Sequence, residues 1–377
     1  MDETLSGAHA SGESAPRSAG APLRLACIFE HSIGHATFQK NLAGQVTRWP
    51  DVTAQWHPLP FDSNRRWPPR RLNWTLRSGL MARQALRGVT ADALFFHTQV
   101  PALLCPDHLA RVPTILSMDA TPAQNARLGI YGGAAQKHAP ARRLASRWVA
   151  WSARKALRVV AWSDWVRRSL IEEYGLEPDR IAVIPPGIDV RLWTEGAGRP
   201  PARVGRAGDP VRILFVGGDF RAKGGEVLLE CFERFWRRRA ELHLVTRTPL
   251  LAGPGVVVHR GLAPNSPELV RLFRASDLFV LPTLGDTFAQ VLVEAMASGL
   301  PVVASDVGAL SEVVAHGETG LLVPAGDAES LFAAVEALIQ DPELRRQMGA
   351  AGWERARDRF DIARNGRRMV ELLLAAR

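Results

Sequence analysis

Apolar runs of three to seven residues recur along the chain, each followed by a stretch with helical spacing. This alternation is the pattern of a parallel α/β fold, in which strands buried on both faces are joined by crossover helices. Leu23–Phe29, Ala93–Phe96, Thr114–Met118, Val159–Ala161 and Ile181–Ile184 read as strands of a first unit. Val211–Val216, Leu242–Val245, Val256–Val258, Leu278–Leu281, Pro301–Ala304 and Leu321–Val323 read as strands of a second. Helices are expected from near Thr37, and over Leu72–Arg87 and Trp162–Tyr174, the last with Ser163 as N-cap. Others are expected over Glu226–Arg237, Thr287–Ser298, Asp327–Gln340 and Ile362–Leu374. Two stretches lack apolar periodicity. Residues 1–20 have almost nothing to bury and read as a disordered tail. Thr194–Pro210 is rich in Gly, Pro, Ala and Arg and reads as a linker. The expected division is a tail 1–20, a first domain 21–193, a linker 194–210, a second domain 211–360 and a closing helix 361–377.

Asp277–Val307 is a βαβ crossover of ordinary length. In open α/β sheets ligands collect beyond the carboxyl ends of strands. The turn over Asp286, Thr287, Phe288 and Ala289 stands there and offers backbone N–H groups to an anion. Glu294 is the one charge between Phe288 and Ala304. A carboxylate in so apolar a helix needs solvent or a partner, and a diol donating two hydroxyls is a suitable one. Gly217–Gly225 reads GGDFRAKGG between a strand and a helix, with the spacing of neither a P-loop nor a GxGxxG fingerprint. Its Gly218, Arg221 and Lys223 read as a phosphate cradle or as an exposed turn with incidental charge.

In the first unit, Gly34 in the first strand-to-helix turn permits close backbone approach to a ligand. His35 reads as a surface residue or as a contact to the acceptor. His97, at a strand's carboxyl end, is expected to face the crevice or to be satisfied by a backbone carbonyl. Asp119 suits either an acceptor hydroxyl or an Asx turn. Thr246–Arg247 and Arg260–Leu262 are expected to approach a base through backbone groups.

Asp286–Gly299, DTFAQVLVEAMASG, resembles the signature of the GT4-type retaining glycosyltransferases, as does the block from Ser163 to Asp189 ending in IPPGID. The resemblance implies a GT-B architecture: two facing Rossmann-like doubly wound α/β domains, with the last helix crossing back to the first. It implies that Glu294 holds a nucleotide ribose and that the turn at Thr287–Ala289 holds a diphosphate. It also implies that Asp286 touches sugar hydroxyls and that the loop carrying Gly34 faces donor phosphates and acceptor. It further implies that residues from the region of His97 reach the reacting sugar, which makes His97 and Asp286 the catalytic candidates. Asp286 stands where Glu is usual, Ala289 where Gly is usual, and Gly218 where Arg is usual. Arg221 is then expected to supply the displaced cation, and Lys223 matches. These departures keep open a non-catalytic nucleotide-sugar-binding protein; a nucleotide-sugar epimerase of the same fold is a further alternative.

The chain has no DxD, so no metal or other cofactor is expected; the diphosphate is left to cationic side chains and N–H groups. The net charge of +9 is unevenly placed, with 18 Arg and Lys against four acidic residues between Asn64 and Arg168. Two basic stretches there, Leu72–Arg87 and Lys137–Arg158, carry Trp and Leu at helical spacing and suit an anionic membrane surface or ordinary solvated helices. No nucleic-acid module is recognisable. The cysteines, Cys27, Cys105 and Cys231, are isolated and read as buried thiols in a reducing compartment. The N-terminus shows no basic segment followed by an apolar run, so no secretory signal is expected. The expected location is cytoplasmic, either free or at the inner face of the membrane. The expected partners are a nucleotide sugar and a glycan or lipid acceptor.

Overall fold

The computed structural model describes residues 21–31, 34–61, 68–69, 72–129, 139–194 and 209–375, with backbone alone at 139–145. The tail 1–20, most of the 194–210 linker and the start of the Lys137–Arg158 stretch lie outside the described residues. Two six-stranded sheets, parallel throughout, make up the structure. The first contains β1 (Leu23–His31), β2 (Val52–Pro60), β3 (Ala93–His97), β4 (Thr114–Met118), β5 (Arg158–Ala161) and β6 (Ile181–Val183), in the order β2-β1-β3-β4-β5-β6. The second contains β7 (Val211–Val216), β8 (Ala240–Val245), β9 (Val256–His259), β10 (Leu278–Leu281), β11 (Val302–Ser305) and β12 (Gly320–Val323), in the order β12-β11-β10-β7-β8-β9. Each sheet reverses its winding once, between β1 and β3 and between β7 and β10, and such switch points leave a crevice at the carboxyl edge.

The central strands are continuous apolar runs because helices cover both their faces: Leu278–Leu281 and Val302–Ser305 are wholly buried. β2 has no counterpart in the apolar pattern. It is an edge strand with a half-exposed VTAQWHPLP sequence, and its prolines are tolerated because an edge leaves N–H positions unpaired. One apolar cluster runs from the first sheet through to the second, and another fills the opposite face of the first sheet.

The closing helix, Ile362–Leu374, lies against the first sheet's His35–Val46 helix. Its seat is the IPPGID segment. Ile188 N–H donates to Phe360 O at 2.9 Å, and Ile362 N–H donates to Ile188 O at 3.0 Å. Gly187 is required there, because a Cβ would stand 2.5 Å from Ile362 N. Arg367 adds two 2.8 Å bonds to the Asp51 carboxylate.

Candidate active site

The loops after β7, β8, β10 and β11 converge at the carboxyl edge of the second sheet. Two glycines allow it. A Cβ on Gly224 would meet Pro282 O at 1.8 Å, and one on Gly308 would meet Asp286 O at 2.1 Å; both glycines have positive φ. Lys223 Nζ donates to Asp286 Oδ2 at 2.6 Å, joining the glycine turn to the loop after β10. The other oxygen of Asp286 accepts from the N–H groups of Phe288, at 3.3 Å, and Ala289, at 3.0 Å. The Asp286 carboxylate therefore occupies the N–H groups assigned to an anion. The helix begins later than the pattern suggested, at Gln290, because Ala289 lies at φ +51°, a left-handed conformation that disfavours a Cβ.

Glu294 lies one turn into the Gln290–Ala297 helix and is 6% exposed. Burial pushes its carboxyl from the ordinary 4.5 up to about 7, and among the described residues no cation offsets that cost. Phe288, in the turn that precedes this helix, is buried edge-on against Trp162 of the first half and Phe360 near the closing helix.

Asp119 and Thr287 meet across the cleft. Thr287 Oγ1 donates to Asp119 Oδ2 at 3.1 Å, and His35 Nε2 lies 3.4 Å from the same oxygen. Burial opposes charge on both His35 and Asp119, but each favours the ionised form of the other. Asp119 is held at about 2 and His35 above its ordinary value, with Glu30 and Asp286 adding to the latter. Gly34, at φ +93°, ends the β1 loop, and its carbonyl accepts from Gln290 Nε2 at 3.5 Å. Three further contacts hold the halves together. Lys40 Nζ donates to Pro264 O at 2.8 Å. Asn265 Nδ2 donates to Asn41 Oδ1 at 2.7 Å. The Glu312 carboxylate accepts from the N–H groups of Asp164, at 2.7 Å, and Trp165, at 2.6 Å, at the start of the Asp164–Glu172 helix.

Several expectations need correcting. His97 does not face the crevice: it is fully buried, stacked on Trp162 at 5.0 Å and edge-on to Phe38 at 5.2 Å. Burial first, and then the neighbouring His35, push its pKa well down, so it is neutral. His35 is not a surface residue; at 8% exposure it stands between His97 and Asp119, because its helix starts immediately after Gly34. Arg221 turns outward, with its side chain 82% exposed and 3.6 Å from Glu226. It lines an outer cavity of about 400 Å³ with Glu226, Glu230 and Glu233 rather than the cleft. Arg247 contributes a side chain and not only backbone: its guanidinium lies against Gly218. Glu312 was not singled out from the sequence. Its position in a short SEVV stretch carries no local signal, whereas a search for lone acids near a loop would have found it.

The described parts define a GT-B fold, with the candidate residues at its two switch points. Sequence comparison agrees. Residues 210–341 match the family model described as glycosyl transferases group 1, and residues 46–192 match the one described as glycosyltransferase family 4. The chain belongs to these group 1, GT4-type glycosyltransferases. It is 36% identical over 220 residues to a D-inositol 3-phosphate glycosyltransferase of Pseudarthrobacter chlorophenolicus, covering 54% of this chain and 52% of that protein. A protein of the same name from Arthrobacter sp. is 34% identical over 53% of each chain. The chain thus spans about half the length of the curated relatives it matches. Among solved structures, sucrose-phosphate synthase from Thermosynechococcus elongatus aligns with a TM-score of 0.75 at 18% identity, over 94% of this chain and all of that one. HepE of Anabaena, solved with UDP, aligns with a TM-score of 0.69 at 16% identity, over 94% of this chain and 100% of that one. These structural likenesses concern the fold.

Proposed function

We propose that this chain transfers a sugar from a nucleotide-diphosphate sugar to a hydroxyl of a glycan or lipid acceptor, with retention at the anomeric carbon and without a metal ion. The observation that carries the reading is Glu294, a buried carboxylate with no cation beside it, next to the loop where Lys223 meets Asp286. Two ribose hydroxyls donating to that carboxylate replace the water it has lost. Lys223 and the backbone N–H groups near Phe288 then meet the diphosphate, whose charge grows as the glycosidic bond breaks. Asp286 borders the sugar; its carboxylate gives up Lys223 and the N–H groups of Phe288 and Ala289 as the phosphates arrive. His35 and Asp119 face the cleft from the acceptor half. Closure of the two halves, held by the Thr287–Asp119 bond and the Glu312 contact, excludes water that competes with the acceptor. The solved complexes of HepE with UDP and with UDP-glucose support a nucleotide sugar as donor.

The test is release of nucleoside diphosphate from a panel of nucleotide sugars, with EDTA present and with acceptors that include lipid, oligosaccharide and inositol phosphate. Acceptor-dependent release, with a product of unchanged anomeric configuration, is expected. Tight binding without turnover points instead to a nucleotide-sugar-binding protein. Donor interconversion without acceptor points to an epimerase.

A peripheral membrane site is part of this proposal. Among the described residues no helix is long and apolar enough to cross a membrane. Leu76, Trp148 and Trp151 are exposed on the two basic helices, Trp74–Ala85 and Ala139–Lys155. Exposed indoles interleaved with arginine suit an anionic bilayer surface. The proposed site is on the cytoplasmic face, where donor sugars are made available. Flotation with anionic liposomes is expected to carry the protein, and neutral liposomes are not. Replacing Trp148 and Trp151 by Ser should abolish co-flotation; equal recovery with both lipids would refute the site.

A further inference from the structure

The two consecutive glycines after β7 lie against two basic side chains from different loops, Gly217 under the aliphatic stem of Lys223 and Gly218 under the guanidinium of Arg247. A Cβ on Gly217 would stand 3.0 Å from Lys223 Cβ and 3.1 Å from its Cγ. A Cβ on Gly218 would stand 3.1 Å from one terminal nitrogen of Arg247 and 3.2 Å from its Nε. Lys223 comes from the same turn, five residues beyond Gly218. Arg247 comes from the loop after β8, brought alongside because β7 and β8 pair in parallel with Val216 opposite Val245.

That loop is fastened to the glycine turn on both sides of Arg247. Thr246 Oγ1 donates to Gly218 O at 3.5 Å, and Thr248 Oγ1 accepts from Phe220 N–H at 3.2 Å. Thr248 N–H closes back on Thr246 Oγ1 at 3.2 Å. The guanidinium is thus presented by a turn that two threonine hydroxyls pin to the glycine loop. Unlike Arg221 and Lys223, which pair with Glu226 and Asp286, Arg247 pairs with no carboxylate among the described residues. A planar, permanently charged fork at a glycine, with its donors unspent, is suited to a phosphate oxygen.

We infer that Arg247 is a second diphosphate-binding cation of this protein, beside Lys223, with its guanidinium in the space that a side chain at Gly218 would fill. The inference rests on the donor reading above and sharpens it. The space over the turn holds one guanidinium, and here it arrives from β8. Gly218 is glycine because a side chain there would take that space. Arg221, the candidate from the sequence, lies beside Glu226 at 3.6 Å instead of over the glycines.

The experiment measures binding by calorimetry of UDP, GDP and ADP, of the matching nucleosides, and of inorganic pyrophosphate. It uses wild type, Arg247→Ala, and the double variant Arg247→Ala with Gly218→Arg. Gly218 does not have positive φ, so an arginine there meets no backbone barrier. Loss of one charge-assisted contact in Arg247→Ala should weaken the preferred nucleoside diphosphate roughly tenfold to a hundredfold and pyrophosphate likewise, leaving the nucleoside unchanged. The double variant should recover most of the lost diphosphate affinity, and circular dichroism melts should match for all three proteins. Unchanged diphosphate binding in Arg247→Ala, an equal loss for nucleoside and diphosphate, or a double variant as weak as the single would each overturn the inference. Wild-type protein that binds none of the probes overturns the donor reading as well, which separates the two failures.

Discussion

Glu294→Gln is expected to make the ligand-free protein more resistant to heat at pH 8 while removing most of its affinity for donor. Burial raises the folded-state pKa of Glu294 from 4.5 to about 7. Below about pH 4.5 the group is protonated in both folded and unfolded chains and costs nothing. As pH rises towards 7 the unfolded chain ionises first, so the stability contributed by the neutral buried form is progressively lost, and it is gone above the folded pKa. A shift of this size corresponds to roughly 3 kcal/mol across the window. Glutamine keeps the shape and has no charge to desolvate. Melting curves of the two proteins should therefore converge near pH 4.5 and separate by pH 8, with the variant the more stable. Binding moves the other way. A carboxylate accepts from two ribose hydroxyls, whereas an amide offers one acceptor and a donor pair that faces them wrongly. Donor affinity should fall roughly a hundredfold. In the wild type it should rise as pH increases through about 7, because the ionised form is the acceptor. Calorimetry at pH 6, 7 and 8 reads both effects. Variant binding equal to wild type would remove Glu294 from the site.

Lys223→Ala is expected to lower kcat by roughly a hundredfold or more, with a smaller effect on the donor KM. The ammonium sits 2.6 Å from the Asp286 carboxylate, where it holds the loop after β10 against the glycine turn. In the proposed reaction the same charge faces a leaving diphosphate whose negative charge grows along the reaction. An interaction that strengthens in the transition state appears in kcat, and losing one such donor typically costs this much. Asp286→Asn is the useful companion. Its carboxamide oxygen can still accept from the Phe288 and Ala289 N–H groups, so the loop keeps its shape while Lys223 loses its partner. Steady-state kinetics on the two variants separate charge stabilisation from loop support. An unchanged kcat in Lys223→Ala would take the lysine out of the mechanism.

The fold was readable because its central strands are buried on both faces. Thr114–Met118, Val211–Val216, Leu278–Leu281 and the closing helix Ile362–Leu374 run between the limits that their apolar spacing implies. β2 was not readable, since an edge strand with one solvated face and two prolines has no such spacing. Helix starts depended on side chains rather than periodicity. Ser163 caps its helix through Val166 N–H as its residue type suggests, whereas Asp286 takes the N–H groups of Phe288 and Ala289 and delays the next helix. Glu294 stood out in the sequence because burying a carboxylate is costly enough to be conspicuous. His97 and His35 had their surroundings exchanged, because a strand's last residue shows in the sequence but the side chain covering it does not.

By itself the sequence determined the class of fold, the crossover carrying Glu294, and the pairing of a glycine turn with Lys223, all features set by neighbours within a few residues. The tertiary structure alone decided which groups meet over distance. It set Arg247 rather than Arg221 over Gly218, Thr287 on Asp119, and Glu312 on the N–H groups of Asp164 and Trp165. Strand order and the approach of the two halves create these contacts, and neither leaves a mark on the local spacing of apolar and polar residues.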